Sequence, residues 1–298
     1  MITRRRFTNS LGVTVIGAGF AGVASAARGA AILFAAVPEA LARLERESGG
    51  RLGVAVIDTG TNAHAGWRSD ERFPMCSTFK FLAAAAVLAR VDAGQERLDR
   101  RIHFKASELV AYSPISKDHV DSRGMTVDEL CEAAVVMSDN TAANLLLADL
   151  NGPAGVTAFS RSIGDGVTRL DRTEPELNEA AEGDPRDTTS PAAMAANLRT
   201  LLLEDRLSAP SRARLTGWLR ASKTGARRLR AGLPAGWSVG DKTGSGGRGT
   251  TNDIGILWPT GRPPVVVAAY LTDTGAPSER RDETLAAVGR VIASTLVR

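Results

Sequence analysis

Cysteine, histidine and lysine are scarce in this 298-residue chain, which has two cysteines, three histidines and only five lysines among its 37 bases. Two cysteines, Cys76 and Cys131, exclude a disulfide framework and allow one bridge at most. His64, His103 and His119 lie far apart, and none shares a short spacing with a cysteine, so no metal site is expected. No apolar run reaches the roughly 20 residues of a membrane span. An excess of one charge is missing as well. The formal +4 comes from residues 1–36, which hold Arg4, Arg5, Arg6 and Arg28 and no acid; without them 33 bases face 33 acids. A nucleic-acid partner, which needs clustered positive charge, is therefore not expected.

The same N-terminal segment indicates a destination. Thr3, Arg4, Arg5, Arg6 and Phe7 match a twin-arginine export pattern, and Leu11 to Val23 form a short, glycine-diluted apolar region. Residues 1–36 are expected to be a signal region cleaved somewhere in 26–36, leaving a periplasmic or secreted protein without a retained membrane span. An amphipathic or membrane-retained helix is the alternative.

The full chain is 43 % hydrophobic, ample for a core. PEALARLERESGG reads as a helix, and RLGVAVIDT and AHAGWRSD as two strands joined at Gly60, Thr61 and Asn62. From Ser77 to about 220 the pattern is mostly helical, interrupted by the acidic, proline-bearing DRTEPELNEAAEGDPRD, which reads as a long loop. WSVGDKTG, TNDIGILW and PVVVAAYLT are three further strands, closed by a helix over Arg280–Leu296. The expected class is α+β: one antiparallel sheet built from both termini and flanked by helices, with an all-helical lobe inserted. The sheet lobe would take about 37–70 and 221–298, and the helical lobe about 71–220.

Three short patterns bear on chemistry. A helix starting at Ser77 in MCSTFKFL puts Lys80 one turn on, so hydroxyl and amine share a face; a desolvated amine can activate a serine. An ordinary helix start and a solvated lysine explain the same residues. Lysine is rare here, however, and a lysine inside a motif points to chemistry that needs a compact, titratable amine. Ser138, Asp139 and Asn140 follow an apolar run; their plain reading is an N-cap. Lys242, Thr243 and Gly244 end a strand, where the glycine leaves room for a substrate and the lysine could hold a carboxylate; an exposed strand-end lysine is the alternative.

In this order the three patterns resemble those of class A serine β-lactamases and penicillin-binding proteins. The resemblance extends over residues 38–298 through RFPMCSTFKFL, LVAYSPISK, MTVDELCEAAVVMSDNTAANLLL, TRLDRTEPELNEA and LPAGWSVGDKTG. The EPELN stretch, Glu174 to Asn178, separates class A hydrolases from the transpeptidases, and so argues against a cell-wall D,D-peptidase or a penicillin sensor. The resemblance implies hydrolysis of penicillins and cephalosporins by a monomer without a cofactor. Ser77 would attack the lactam carbonyl, with Lys80, or Glu174 acting through water, as the acylation base. Backbone N–H groups of Ser77 and Ser245 would form the oxyanion hole. Ser138 would relay a proton to the lactam nitrogen, and Asn140 would bind the substrate's side-chain amide. Lys242, Thr243 and Ser245 would receive its carboxylate beside Gly244, and Glu174 with Asn178 would hold the hydrolytic water.

The resemblance further implies a cis Glu174–Pro175 bond, an Arg172–Asp187 ion pair closing the loop, and Tyr112 at the cleft's rim. Many members carry a carboxylate-binding arginine where this chain has Thr251; other members supply it from the position of Arg228, the expected source here. A solvated basic face with Arg227 and Arg230 is the alternative for Arg228. Cys131 matches half of one family disulfide whose partner position is Ala84, and Cys76 half of another whose partner position is Gly246, so both thiols are expected to be free. Ser245 stands where narrow-spectrum members often have alanine, which implies good cephalosporin turnover.

Overall fold

The computed structural model of the chain describes residues 34–296. The expected signal region falls outside the described residues, apart from its last three positions.

Alternation of side chains builds the centre of the molecule. Helix α1 (Val37–Ser48) opens with Pro38 in its first turn and stops at Gly49, whose φ of 64° suits a residue without a side chain. Strands β1 (Arg51–Asp58) and β2 (Ala63–Trp67) follow. Strands β3 (Ser238–Ser245), β4 (Thr251–Trp258) and β5 (Val265–Thr272) come from the far end of the chain. All five pair antiparallel in the order β2-β1-β5-β4-β3, so the two ends of the chain meet where β1 pairs with β5, Arg51 opposite Thr272. In β5, Val265, Val267, Ala269 and Leu271 face one apolar cluster with α1 and the closing helix, while Val266, Ala268 and Tyr270 face another with the helical lobe. Burial on both faces is why β5 reads as an unbroken apolar run, whereas a strand wet on one face alternates.

Between β2 and β3 lie helices α2 (Phe79–Asp92), α3 (Val127–Val136), α4 (Asn140–Asp149), α5 (Pro153–Ser162), α6 (Pro191–Leu203) and α7 (Ala209–Arg220); α8 (Ser278–Leu296) closes the chain. Ten consecutive residues of α2, Phe79 to Leu88, are buried, so this helix has no wet face until its last turn. A helix apolar all round belongs in the interior. Helix α2 starts two residues later than the sequence pattern suggests: Cys76–Thr78 form a 3₁₀ turn that delivers the chain into it. Cys76, at φ 45°, lies in the left-handed region and bends the chain before the turn.

Candidate active site

Ser77 lies in that turn, and its side chain makes no helix-capping bond. Its hydroxyl donates instead to Glu174 Oε1 at 3.2 Å, so the plain helix-start reading does not describe it. Helix α4 is capped by Asp139, whose carboxylate accepts from the Ala142 N–H. That leaves Ser138, at φ 59°, outside the cap and facing the cleft. A cleft of about 500 Å³ is lined by Ser77, Tyr112, Ser138, Asn140, Asn178 and the end of β3 from Thr243 to Ser245. Tyr112 stands 59 % exposed at its rim.

Lys80, Glu174 and Lys242 lie beneath this lining and are buried. The Lys80 Nζ donates to Ser138 O at 2.8 Å and to Asn140 Oδ1 at 2.6 Å, and rests 2.9 Å from Glu174 Oε1. Three acceptors take its three protons. Burial pulls the Lys80 pKa below its ordinary value, and the Glu174 carboxylate pushes back. Lys242 donates to Ser138 Oγ at 2.9 Å and to the Thr243 carbonyl at 2.8 Å. Burial, then repulsion from Lys80, holds the Lys242 pKa well below normal.

Glu174 is placed by a loop fastened at several points. Its peptide bond to Pro175 is cis. Arg172 Nε reaches Asp187 Oδ2 at 2.6 Å, and the backbone N–H groups of Asp171 and Arg172 donate to Asp187 Oδ1. Asn178 Nδ2 donates to Glu174 Oε2, while Asn178 Oδ1 is buried without a protein partner among the described residues. Asn144, which the sequence reading passed over, holds Glu174 from beneath: its Nδ2 donates to the Glu174 carbonyl at 2.8 Å and its Oδ1 accepts the Glu174 N–H at 2.9 Å. It follows Asn140 by four positions on α4 and so shares its face, which was the available signal.

The β3 side of the cleft departs in detail from the sequence reading. The absent side chain of Gly244 makes room for protein: a Cβ there would stand 2.7 Å from the Met75 carbonyl oxygen and 3.3 Å from Cys76 Cβ. Thr243 shares a 2.6 Å hydroxyl contact with Thr224, a lining residue the motifs do not include, and Lys223 lines the cleft as well. Arg228 also lines the cleft and is ion-paired with Asp282. Thr251 Oγ1 accepts from Arg281 Nε at 2.9 Å. Cys76 and Cys131 are free and buried, and burial raises both thiol pKa values. Among the described residues no cluster of histidine, cysteine, aspartate and glutamate suits a metal ion.

A family model described as the β-lactamase enzyme family matches residues 36–296. The chain is 52 % identical to β-lactamase CTX-M-8 of Citrobacter amalonaticus over 256 residues, 86 % of this chain and 88 % of that one. It is 50 % identical to β-lactamase OXY-1 of Klebsiella oxytoca over 261 residues, 88 % of this chain and 89 % of the other. Among solved structures, an ancestral class A β-lactamase (GNCA) is 66 % identical at a TM-score of 0.86, covering 87 % of this chain and 99 % of that one. A putative class A β-lactamase, PenP of Rhodopseudomonas palustris, is 60 % identical, also at a TM-score of 0.86, with 87 % and 99 % covered.

Proposed function

The chain belongs to the β-lactamase enzyme family as a class A serine β-lactamase, and from that premise we propose how its residues divide the work. It hydrolyses the lactam amide of penicillins and cephalosporins through a serine acyl-enzyme, an activity that confers resistance to those antibiotics. The observation that carries the assignment of roles is one carboxylate oxygen, Glu174 Oε1, facing both the Ser77 hydroxyl at 3.2 Å and the Lys80 ammonium at 2.9 Å.

Ser77 Oγ attacks the lactam carbonyl as its proton passes to Glu174, directly or through water. Glu174 is the better candidate base because Lys80, with three acceptors around its amine, is arranged as an ammonium in the resting site. The resulting oxyanion is received by the backbone N–H groups of Ser77 and Ser245, each worth about 3 kcal/mol in such a site. When the C–N bond breaks, the nitrogen takes the Ser138 proton, and the Lys242 ammonium bonded to Ser138 Oγ replaces it. Exchange with solvent through the cleft returns a proton to Lys242 and removes one from Glu174. Glu174 and Asn178 then hold the water that splits the ester; Glu174 takes its proton as it attacks and passes that proton to the departing Ser77 oxygen. Asn140, whose Nδ2 donates to the Ala111 carbonyl, and Tyr112 frame the substrate's side chain, while Thr243 and Ser245 receive its carboxylate.

The proposed active form is a monomer. The Arg4-Arg5-Arg6-Phe7 segment supports export by the twin-arginine route to the periplasm or medium. Among the described residues no helix is long and apolar enough to cross a membrane.

Steady-state hydrolysis of a chromogenic cephalosporin, with intact mass read in parallel, tests the reading. Wild type turns over, Ser77→Ala gains no acyl mass, and Glu174→Ala accumulates acyl-enzyme. A wild type that is acylated once and stops would overturn it.

A further inference from the structure

Outside the cleft, a cavity of about 210 Å³ opens between the end of α3 and the Ile115–His119 segment. Its walls are the apolar side chains of Ile115, Met125, Ala133, Val136 and Met137, none of which has a part in the proposed hydrolysis. The cleft holds Lys223 and Arg228 in its lining, whereas this cavity holds no lysine or arginine.

Its polar rim is acidic instead. Glu129 and Glu132, three positions apart on α3, share a face there, and His119 completes the rim. The Thr126 N–H donates to Glu129 Oε2 at 2.7 Å and holds that carboxyl below its ordinary range against the opposing effect of burial. Arg101 stands 3.7 Å from the same oxygen and donates to the Gly124 carbonyl at 3.0 Å. Glu132 is exposed and has no cation within 4 Å among the described residues. The last turn of α3 carries no basic residue, so nothing on the helix offsets the negative end of its dipole where Val136 and Met137 form the wall.

The walls are held before anything binds. Asp139 Oδ2 accepts the N–H groups of Ile115 and Ser116, both at 2.9 Å, and its Oδ1 accepts the Ser116 hydroxyl at 2.7 Å. Thr126 Oγ1 caps α3 by accepting the Glu129 N–H at 3.1 Å. A preformed apolar hollow with a few polar groups at one side is the usual form of a small-molecule site. Methionine is flexible and polarisable, and two methionines in one wall suit an aromatic ring.

We propose that this cavity binds a small aromatic cation, an arylalkylammonium ion, with its ring against Met125 and Met137 and its charge at Glu132 beside the end of α3. Binding here is independent of the hydrolase reading, since the cleft and the cavity have no lining residue in common.

The protein, labelled with ¹³C at its methionine methyls, is titrated with 2-phenylethylammonium chloride. The Met125 and Met137 signals shift together and saturate with a Kd on the order of 1 mM, the scale for so small a ligand. Met75 and Met194, buried elsewhere, do not move. 3-Phenylpropionate produces no shift, and neutral 2-phenylethanol binds about threefold more weakly than the ammonium, the worth of an exposed ion pair. Glu132→Gln, an exposed substitution with unchanged Tm, brings the ammonium down to the affinity of the alcohol and leaves the alcohol as it was. Still signals from Met125 and Met137 at about twenty times that concentration would overturn the proposal. So would a shift at Met75, a propionate that binds as well as the ammonium, or a Glu132→Gln protein that keeps the threefold preference. A protein without lactam turnover would sink the hydrolase reading and leave this site standing.

Discussion

Asn144 carries more of the active site than its place in an apolar helix suggests. Its amide pairs with both the N–H and the C=O of Glu174, so the proposed general base is held by its backbone as well as by Asn178. Asn144→Ala strips both partners from a buried segment, at a cost of about 1–3 kcal/mol. Deacylation, which depends on where Glu174 holds the water, should slow, and acylation, which under the proposed mechanism uses the same carboxylate as base, should slow with it. The check is acyl-enzyme lifetime beside Tm: a lower Tm with an unchanged lifetime would refute the positioning role. Ser77, Lys80, Ser138, Glu174 and Lys242 were legible in the sequence because each sits in a short pattern. Thr224 and Asp282 were not, because their partners lie 19 and 54 positions away and a single sequence carries no trace of such distances; Asn144, 30 positions from its partner, left only its shared helix face with Asn140 as a signal.

Strand β3 runs close past the turn that carries Ser77. The missing side chain at Gly244 lets the strand lie against the Met75–Cys76 backbone, and Asn252 Nδ2 on β4 ties the same turn by donating to the Pro74 and Met75 carbonyls at 2.9 and 3.1 Å. In the proposed mechanism, this contact would gauge the separation of the Ser77 and Ser245 N–H groups that receive the oxyanion. Gly244→Ala forces a Cβ to within 2.7 Å of a backbone oxygen, and backbone has no rotamer with which to yield. Overpacking of this kind costs about 1–3 kcal/mol, and displacing an oxyanion donor costs about 10²–10³ in kcat. A variant with wild-type kcat at lowered Tm would show that the strand's approach does not gauge the oxyanion hole. The strands themselves were read correctly from alternation and turn residues, but the start of α2 was not. Ser77 follows a left-handed Cys76, a backbone choice that the side chain of cysteine does not advertise.

Across the whole molecule, the order of strands and helices along the sequence led to one sheet built from both termini but not to its neighbours, and it is β1 and β5 that join the two ends across some 200 residues; the run VVVAAYL, read only as a strand, is covered on both faces. The same double coverage buries a carboxyl group. Asp253, on β4 behind the carboxylate-binding edge, is buried; its Oδ2 accepts the Leu229 N–H at 3.1 Å, and its Oδ1 has no partner among the described residues. Burial, then the nearby Asp241, raises its pKa well above the ordinary carboxyl range, while Arg228, the Leu229 N–H and Arg230 oppose. Asp241 is itself paired with Arg230 at 3.0 Å, so that cation serves the neighbour first. The sign follows from the direction of the shift. Below about pH 4 the carboxyl is protonated folded or unfolded, and stability is unaffected by it. Between that value and the folded pKa the native state alone keeps the proton, so stability falls as pH rises, by up to about 1.4 kcal/mol per pH unit. Asp253→Asn retains the shape of the protonated acid and cannot ionise. Its stability relative to wild type should therefore climb as pH is raised above about 4 in urea titrations. A difference that stays flat across that range would mean that Asp253 is already ionised in the native protein, with Arg228 and Arg230 compensating it.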